Sequence, residues 1–81
     1  MSDFFAYISP GELDSGHDPV RVLRLAATRD ALLANRNYDP SHTSLWAKAD
    51  VANVGAPPIP ITNQETGNDE LVCVCEMTAQ A

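Results

Sequence analysis

Apolar and polar positions follow two different periods along this chain. Residues 3–8, DFFAYI, alternate as in a strand, with Phe4, Ala6 and Ile8 facing one way and Phe5 and Tyr7 the other. Both faces are apolar, so this strand is expected to be covered on both sides or to lie against a partner. Residues 70–78, ELVCVCEMT, alternate more clearly: Leu71, Cys73, Cys75 and Met77 share one face, and Val72 and Val74 with Glu76 take the other.

Between these two segments the period changes. Residues 18–36, DPVRVLRLAATRDALLANR, open on a capping Asp18 and on Pro19, whose missing N–H costs nothing in a first helical turn. Leu, Ala and Arg dominate residues 20–34, with no internal Gly or Pro, and Asn35, Asn37 and Asp39-Pro40 supply a stop. The expectation is a main helix over about 19–36, of about four to five turns.

Stepped at about 100° per residue, Val22, Leu23, Ala26, Ala27, Leu33 and Ala34 form one broad apolar side. Leu25 and Leu32 form a second ridge, bounded by Arg29 and Arg36 on one flank and by Arg21, Arg24, Thr28 and Asn35 on the other. A helix with one buried face shows a single stripe. Two stripes divided by arginines point to one packed on the chain's own core and one against a partner. The alternative is a single core that takes both stripes, with the arginine heads reaching outward along it.

The remaining segments are shorter. Ser9-Pro10-Gly11 marks a turn, and residues 12–17 an acidic loop. Asp39-Pro40 repeats the cap-then-proline pattern, so a short second helix over about 40–48 burying Leu45 and Trp46 is expected, weakened by its Ser and Thr content. Residues 51–55 read as a brief strand or coil. Residues 56–62, APPIPIT, must be extended because each proline restricts itself and the residue before it. Such a segment is expected outside the middle of any sheet, as a strap or arm with Ile59 and Ile61 tacked onto apolar ground. Residues 62–69 make a polar loop.

Composition changes the picture in one respect. Much of the 44% hydrophobic content is Ala, which buries little area, and there are only two Phe, one Trp and two Tyr. At 81 residues the chain makes a single small domain with a thin core, more easily stabilised by a partner than alone. Charge sharpens this. Residues 19–36 hold four of the five basic groups against Asp30 alone, a net of +3, while the rest holds Lys48 against ten carboxylates, a net of −9, giving −6 in all. An acidic molecule with one basic segment is a poor nucleic-acid binder. It suits contact between copies, arginines against acidic loops, or else pairing of those charges within one chain.

Candidate chemistry is sparse. Glu12, Asp14, His17 and Asp18 cluster, but lack the glycine and terminal glutamate of a calcium-binding loop. Cys73 and Cys75 on one strand face stand about 6.5–7 Å apart, a poor disulfide geometry. With His17 and His42 they are the only Cys and His present, at spacings unlike those of structural zinc. Two buried, inert thiols are the expectation, with an inter-subunit disulfide as the alternative. Ser15-Gly16-His17-Asp18 and Ser41-His42-Thr43 each set a serine beside a histidine without the strand-turn-helix frame of a nucleophile elbow. Gly11, Gly16, Gly55 and Gly67 are too scattered to cradle phosphate. No cofactor, metal or small-molecule substrate is expected.

The first residues lack a basic, apolar export signal, and no stretch is long enough to span a membrane, so synthesis in the cytoplasm is expected. The sequence therefore reads as α+β, with one helix on short strands from the N- and C-terminal segments and a Pro-rich extended loop. Its expected role is that of a non-catalytic interaction or structural subunit, most specifically an accessory capsid or tail protein of a virus or phage particle. The partner surface is expected at Leu25, Leu32, Arg21, Arg29, Arg36, Ile59 and Ile61, facing copies of itself or a larger protein assembly. The rival role is a small acidic regulator that masks a basic site on a partner protein.

Overall fold

The computed structural model describes residues 3–16 and 18–79. Its elements run β1 (Phe4–Ile8), α1 (Pro10–Asp14), β2 (Val20–Ala26), α2 (Arg29–Ala34), β3 (Asn37–Tyr38), β4 (Ser44–Trp46), β5 (Val51–Asn53), β6 (Ile59–Asn63) and β7 (Asp69–Met77), with 3-10 turns at Pro40–His42 and Lys48–Asp50. The protein is mainly β, a seven-stranded mixed sheet curled strongly into a half-barrel with two short helices. This overturns the α+β expectation built around a long helix.

The correction turns on residues 20–26. Apolar residues stand at 20, 22, 23 and 25, which resembles helical spacing but is strand alternation with one residue inserted. In the structure Ile8 lies opposite Val22 and Tyr7 opposite Arg24, leaving Leu23 as the extra residue of a bulge. The helix-favouring Leu and Arg content gives way to pairing with β1 on one edge and β4 on the other. Asp18 caps no helix: its carboxylate accepts the Lys48 backbone N–H at 3.0 Å, and the Asp18–Pro19 peptide is cis. Helix begins only at Arg29, where the Thr28 hydroxyl caps the Ala31 N–H at 3.1 Å.

The expected second helix over 40–48 is likewise absent, replaced by a 3-10 turn and edge strand β4. Both terminal strands lie where the alternation puts them, with the faces it assigns. β7 pairs β1 through Cys73 to Met77, and its other edge takes β6 and then β5.

The proline segment is not a strap. Residues 59–63 form β6, inside the sheet between β3 and β7. Thr62 and Gln64 donate their N–H groups towards the β3 side, to Arg36 and Tyr38 carbonyls. By the two-residue period the Pro60 nitrogen points that way too, beyond the end of two-residue β3, where no donor is needed. Asn63 then starts the turn into β7, its side-chain oxygen accepting the Glu65 N–H at 2.9 Å.

Two apolar clusters lie on opposite faces of the sheet. The first joins Ala6, Ile8, Val20, Val22, Cys73, Cys75 and Met77, with Leu13 of α1 and the edge-to-face pair Phe4–Trp46 packed against it. The second gathers Tyr7, Leu23, Tyr38, Ile61, Val72 and Val74 from five strands around Leu32 of α2. The fully buried Tyr7 hydroxyl donates to the Leu32 carbonyl at 2.5 Å and ties α2 to β1.

Two substitutions test this anchoring by urea denaturation. Leu32→Ala leaves a cavity beneath α2 and is expected to cost about 2–5 kcal/mol. Tyr7→Phe keeps the ring and removes one of two hydrogen bonds to the Leu32 carbonyl, which still accepts the Asn35 N–H, for an expected loss of about 0.5–1.5 kcal/mol.

Candidate functional site

The bulge at Leu23 sets the remaining residues of β2 in a new register, with Arg24 opposite Tyr7 and Leu25 opposite Ala6. Arg24 Nη1 donates to the Asn37 backbone carbonyl at 3.0 Å and to the Asn37 side-chain oxygen. This side chain links β2 to the end strand β3, and among the described residues no backbone ladder joins the two. Beside it opens a cleft of about 550 Å³. Leu23, Arg24 and Leu25 line it from β2, and Asn35, Asn37 and Tyr38 from the α2–β3 segment; Asp39, His42 and Gln64 complete it.

The cleft's charges are partly committed. Asp39 Oδ1 accepts the Ser41 N–H at 3.0 Å and its hydroxyl at 2.8 Å, and Oδ2 lies 3.3 Å from His42 Nδ1. The Ser41 hydrogen bonds, helped by His42, hold the Asp39 carboxyl below the usual range. Tyr38 donates its hydroxyl to Glu70, and burial with that bond pushes its pKa up to about 12. Burial also raises Tyr7, while the positive charges of Arg36 and Arg24 pull it part of the way back.

The expected partner residues separate. Leu32 is fully buried and Ile61 is 1% exposed, so both serve the chain's own core and leave the expected surface. Ile59 is half-buried in β6. Leu25 lies at the cleft, at the limit of exposure, while Arg21, Arg29 and Arg36 are exposed on three different elements: β2, α2 and the link to β3. Among the described residues these three arginines have no carboxylate partner. Sequence patterning does not single out Arg24, Asn37 or Leu45 as site residues. The one signal for them is the slip in alternation at Leu23, which turns the helix reading into a bulged strand.

The remaining chemistry-bearing residues do structural tasks. Residues 12–14, expected in an acidic loop, belong to α1, and Glu12 accepts the Arg21 N–H at 2.9 Å, so this helix braces the start of β2. Ser41 gives its hydroxyl proton to Asp39, not to His42, and so has no imidazole base. Cys73 and Cys75 are buried free thiols in the first cluster, and burial pushes Cys75 up to about 12. Among the described residues no three His, Cys, Asp or Glu side chains converge. The readings that involve His17 lie outside the described residues. Among the described residues no helix is long and apolar enough to cross a membrane.

These environments set a pH dependence. Tyr38 and Cys75 are both held neutral by the fold, with pKa values pushed up to about 12. Their contribution is complete below their unfolded pKa values, about 10 and 8.5, and is lost as pH rises towards the folded ones. Tm is therefore expected to fall progressively above about pH 9, as followed by circular dichroism. Iodoacetamide should label Cys75 only in urea. No protein-family model matches the chain, and neither the curated proteins nor the solved structures include a significant match to it.

Proposed function

We propose that this chain is a non-catalytic interaction subunit that assembles with copies of itself or with a larger protein array, a virus or phage particle being the most specific form of that reading. The observation that carries it is the edge strand β4. β4 ends the sheet order, and Leu45 at its centre is 67% exposed. Across the β2–β4 pair Leu45 stands beside Arg21, itself exposed and without a carboxylate partner among the described residues.

A sheet edge is a template for another strand, and proteins that stay monomeric guard theirs by keeping it short or with lysine, proline or an inward charge. β4 is short, but Ser44, Leu45 and Trp46 carry no lysine, proline or charge. A strand added antiparallel to β4 gains main-chain hydrogen bonds and covers Leu45, while the exposed arginines meet the neighbour's surplus carboxylates. The second reading, an acidic regulator, is favoured by the many carboxylates that lack an ion-pair partner among the described residues. It predicts a monomer with salt-sensitive affinity for a basic protein.

Sedimentation equilibrium over a wide concentration range decides between them. Self-assembly predicts a mass that rises with concentration and returns to that of one chain in Leu45→Glu, with the circular dichroism spectrum unchanged. A wild-type chain that stays monomeric throughout removes self-assembly and leaves the regulator as the better account.

A further inference from the structure

A run of exposed prolines lies between β5 and the end of β6 that β3 covers. Residues 54–58 belong to no element, and hydrogen bonds pin their start: the Val54 N–H donates to the Val74 carbonyl at 3.3 Å and the Gly55 N–H to the Asn53 side chain at 2.9 Å. From Ile59 onward the chain is paired with β7. Pro57, Pro58 and Pro60 are all exposed. Leu71 stands opposite Pro60 in the β6–β7 register, hence on the same face, and is 62% exposed.

The open edge of β6 is one-sided in its hydrogen bonding. Thr62 and Gln64 turn their N–H groups to the β3 side, so Ile59 and Ile61 turn theirs to β7. A trans peptide sets each carbonyl opposite the N–H that follows it, so the Pro58 and Pro60 carbonyls point away from β7. β3 pairs only with Thr62 and Asn63, and among the described residues no hydrogen bond reaches either carbonyl. The edge offers two acceptors and, at both prolines, no donor.

That polarity selects the occupant. A strand cannot add, because each ladder position there needs an N–H that proline lacks. A partner has to bring its own donors, and flat surfaces for the pyrrolidine rings. Aromatic side chains supply both, with ring faces that pack on proline and an indole N–H or phenol O–H that donates to a carbonyl. Grooves that read extended proline segments are built this way. The prolines hold their own φ near the polyproline value, and the pinned ends keep the segment ordered before contact, so docking loses little entropy. Charge narrows the partner further. Asp69 and Glu70 are exposed beside Leu71, against Arg36 across from Thr62, so a groove with an acidic rim is disfavoured.

We infer that Pro57-Pro58-Ile59-Pro60, with Leu71 beside it, is a docking ridge for the aromatic-lined, proline-reading groove of a partner protein. The ridge lies on strands other than β4, and it stands whether or not the chain assembles through Leu45.

The test is titration of the isotope-labelled full chain with a panel of purified SH3, WW and EVH1 domains, read by amide NMR. The inference predicts that at least one domain binds more tightly than about 100 μM. It should shift the amides of Ile59, Ile61 and Leu71 and leave residues 44–46 unmoved. Replacing that domain's groove tryptophan by alanine should abolish the shifts. Pro57→Ala and Pro60→Val should each weaken binding about tenfold, the scale of one well-packed anchor. Leu71→Ser, at an exposed position, should weaken it about threefold through lost apolar contact. If Pro60→Val does not fold, Pro57→Ala and Leu71→Ser decide. Leu45→Glu should leave domain binding unchanged, which separates this ridge from the assembly edge. No shift with any domain, shifts centred on residues 44–46, or full affinity in Pro57→Ala would overturn the inference. Concentration-dependent shifts of the same amides with no domain added would give the ridge to a second copy and overturn it as well.

Discussion

Every part of the fold depends on β7 being buried on both faces at once. Five of its nine residues feed two separate clusters, Cys73, Cys75 and Met77 on one side and Val72 and Val74 on the other. Neither cluster is large, as the low aromatic content requires. A small chain gains by using both faces of its central strand, because each added strand then extends two apolar layers at once. β1 does the same, with Ala6 and Ile8 on one side and Tyr7 on the other. The sheet curls around this pair, and α2 completes the second layer through Leu32.

This double burial decides which elements are legible in the sequence. The two-face apolar pattern of residues 3–8 and 70–78 is a long-range demand for cover, and local alternation expresses it directly. Residues 20–26 mislead because their bulge falls in the middle. One inserted residue converts a two-residue period into spacings of two, one and two, which a helical wheel accepts. Leu, Ala and Arg then add helix propensity, and only the pairing with β1 and β4 outweighs it. β4 is illegible for a related reason. Its three residues are too short for a period, and it is a strand only because β2 lies beside it. Arg24 is legible only as a boundary of a stripe, since its link to Asn37 depends on how far the sheet curls.

The charge asymmetry also takes on a different meaning in three dimensions. The basic segment is no continuous helical stripe. Its arginines disperse over β2, α2 and the link to β3, and the charges of Arg24 and Arg36 both act on the Tyr7 hydroxyl. The acidic residues are partly structural, with Glu12, Asp18 and Asp39 accepting backbone N–H groups at element boundaries. Asp39 caps the 3-10 turn after β3, while Asp18 holds the start of the turn after β4. Carboxylates used this way set loop geometry and still leave the surface negative.

The place of Pro60 has a consequence for how the last two strands find each other. Its nitrogen faces away from β7, on the stretch of β6 that β3 leaves uncovered. Sliding β6 by one position along β7 would turn that donorless nitrogen into the ladder and bring Ile61 out of the second cluster. The imino acid thus acts as an indexing pin, rejecting the nearest misaligned hairpin both by a missing bond and by an exposed isoleucine.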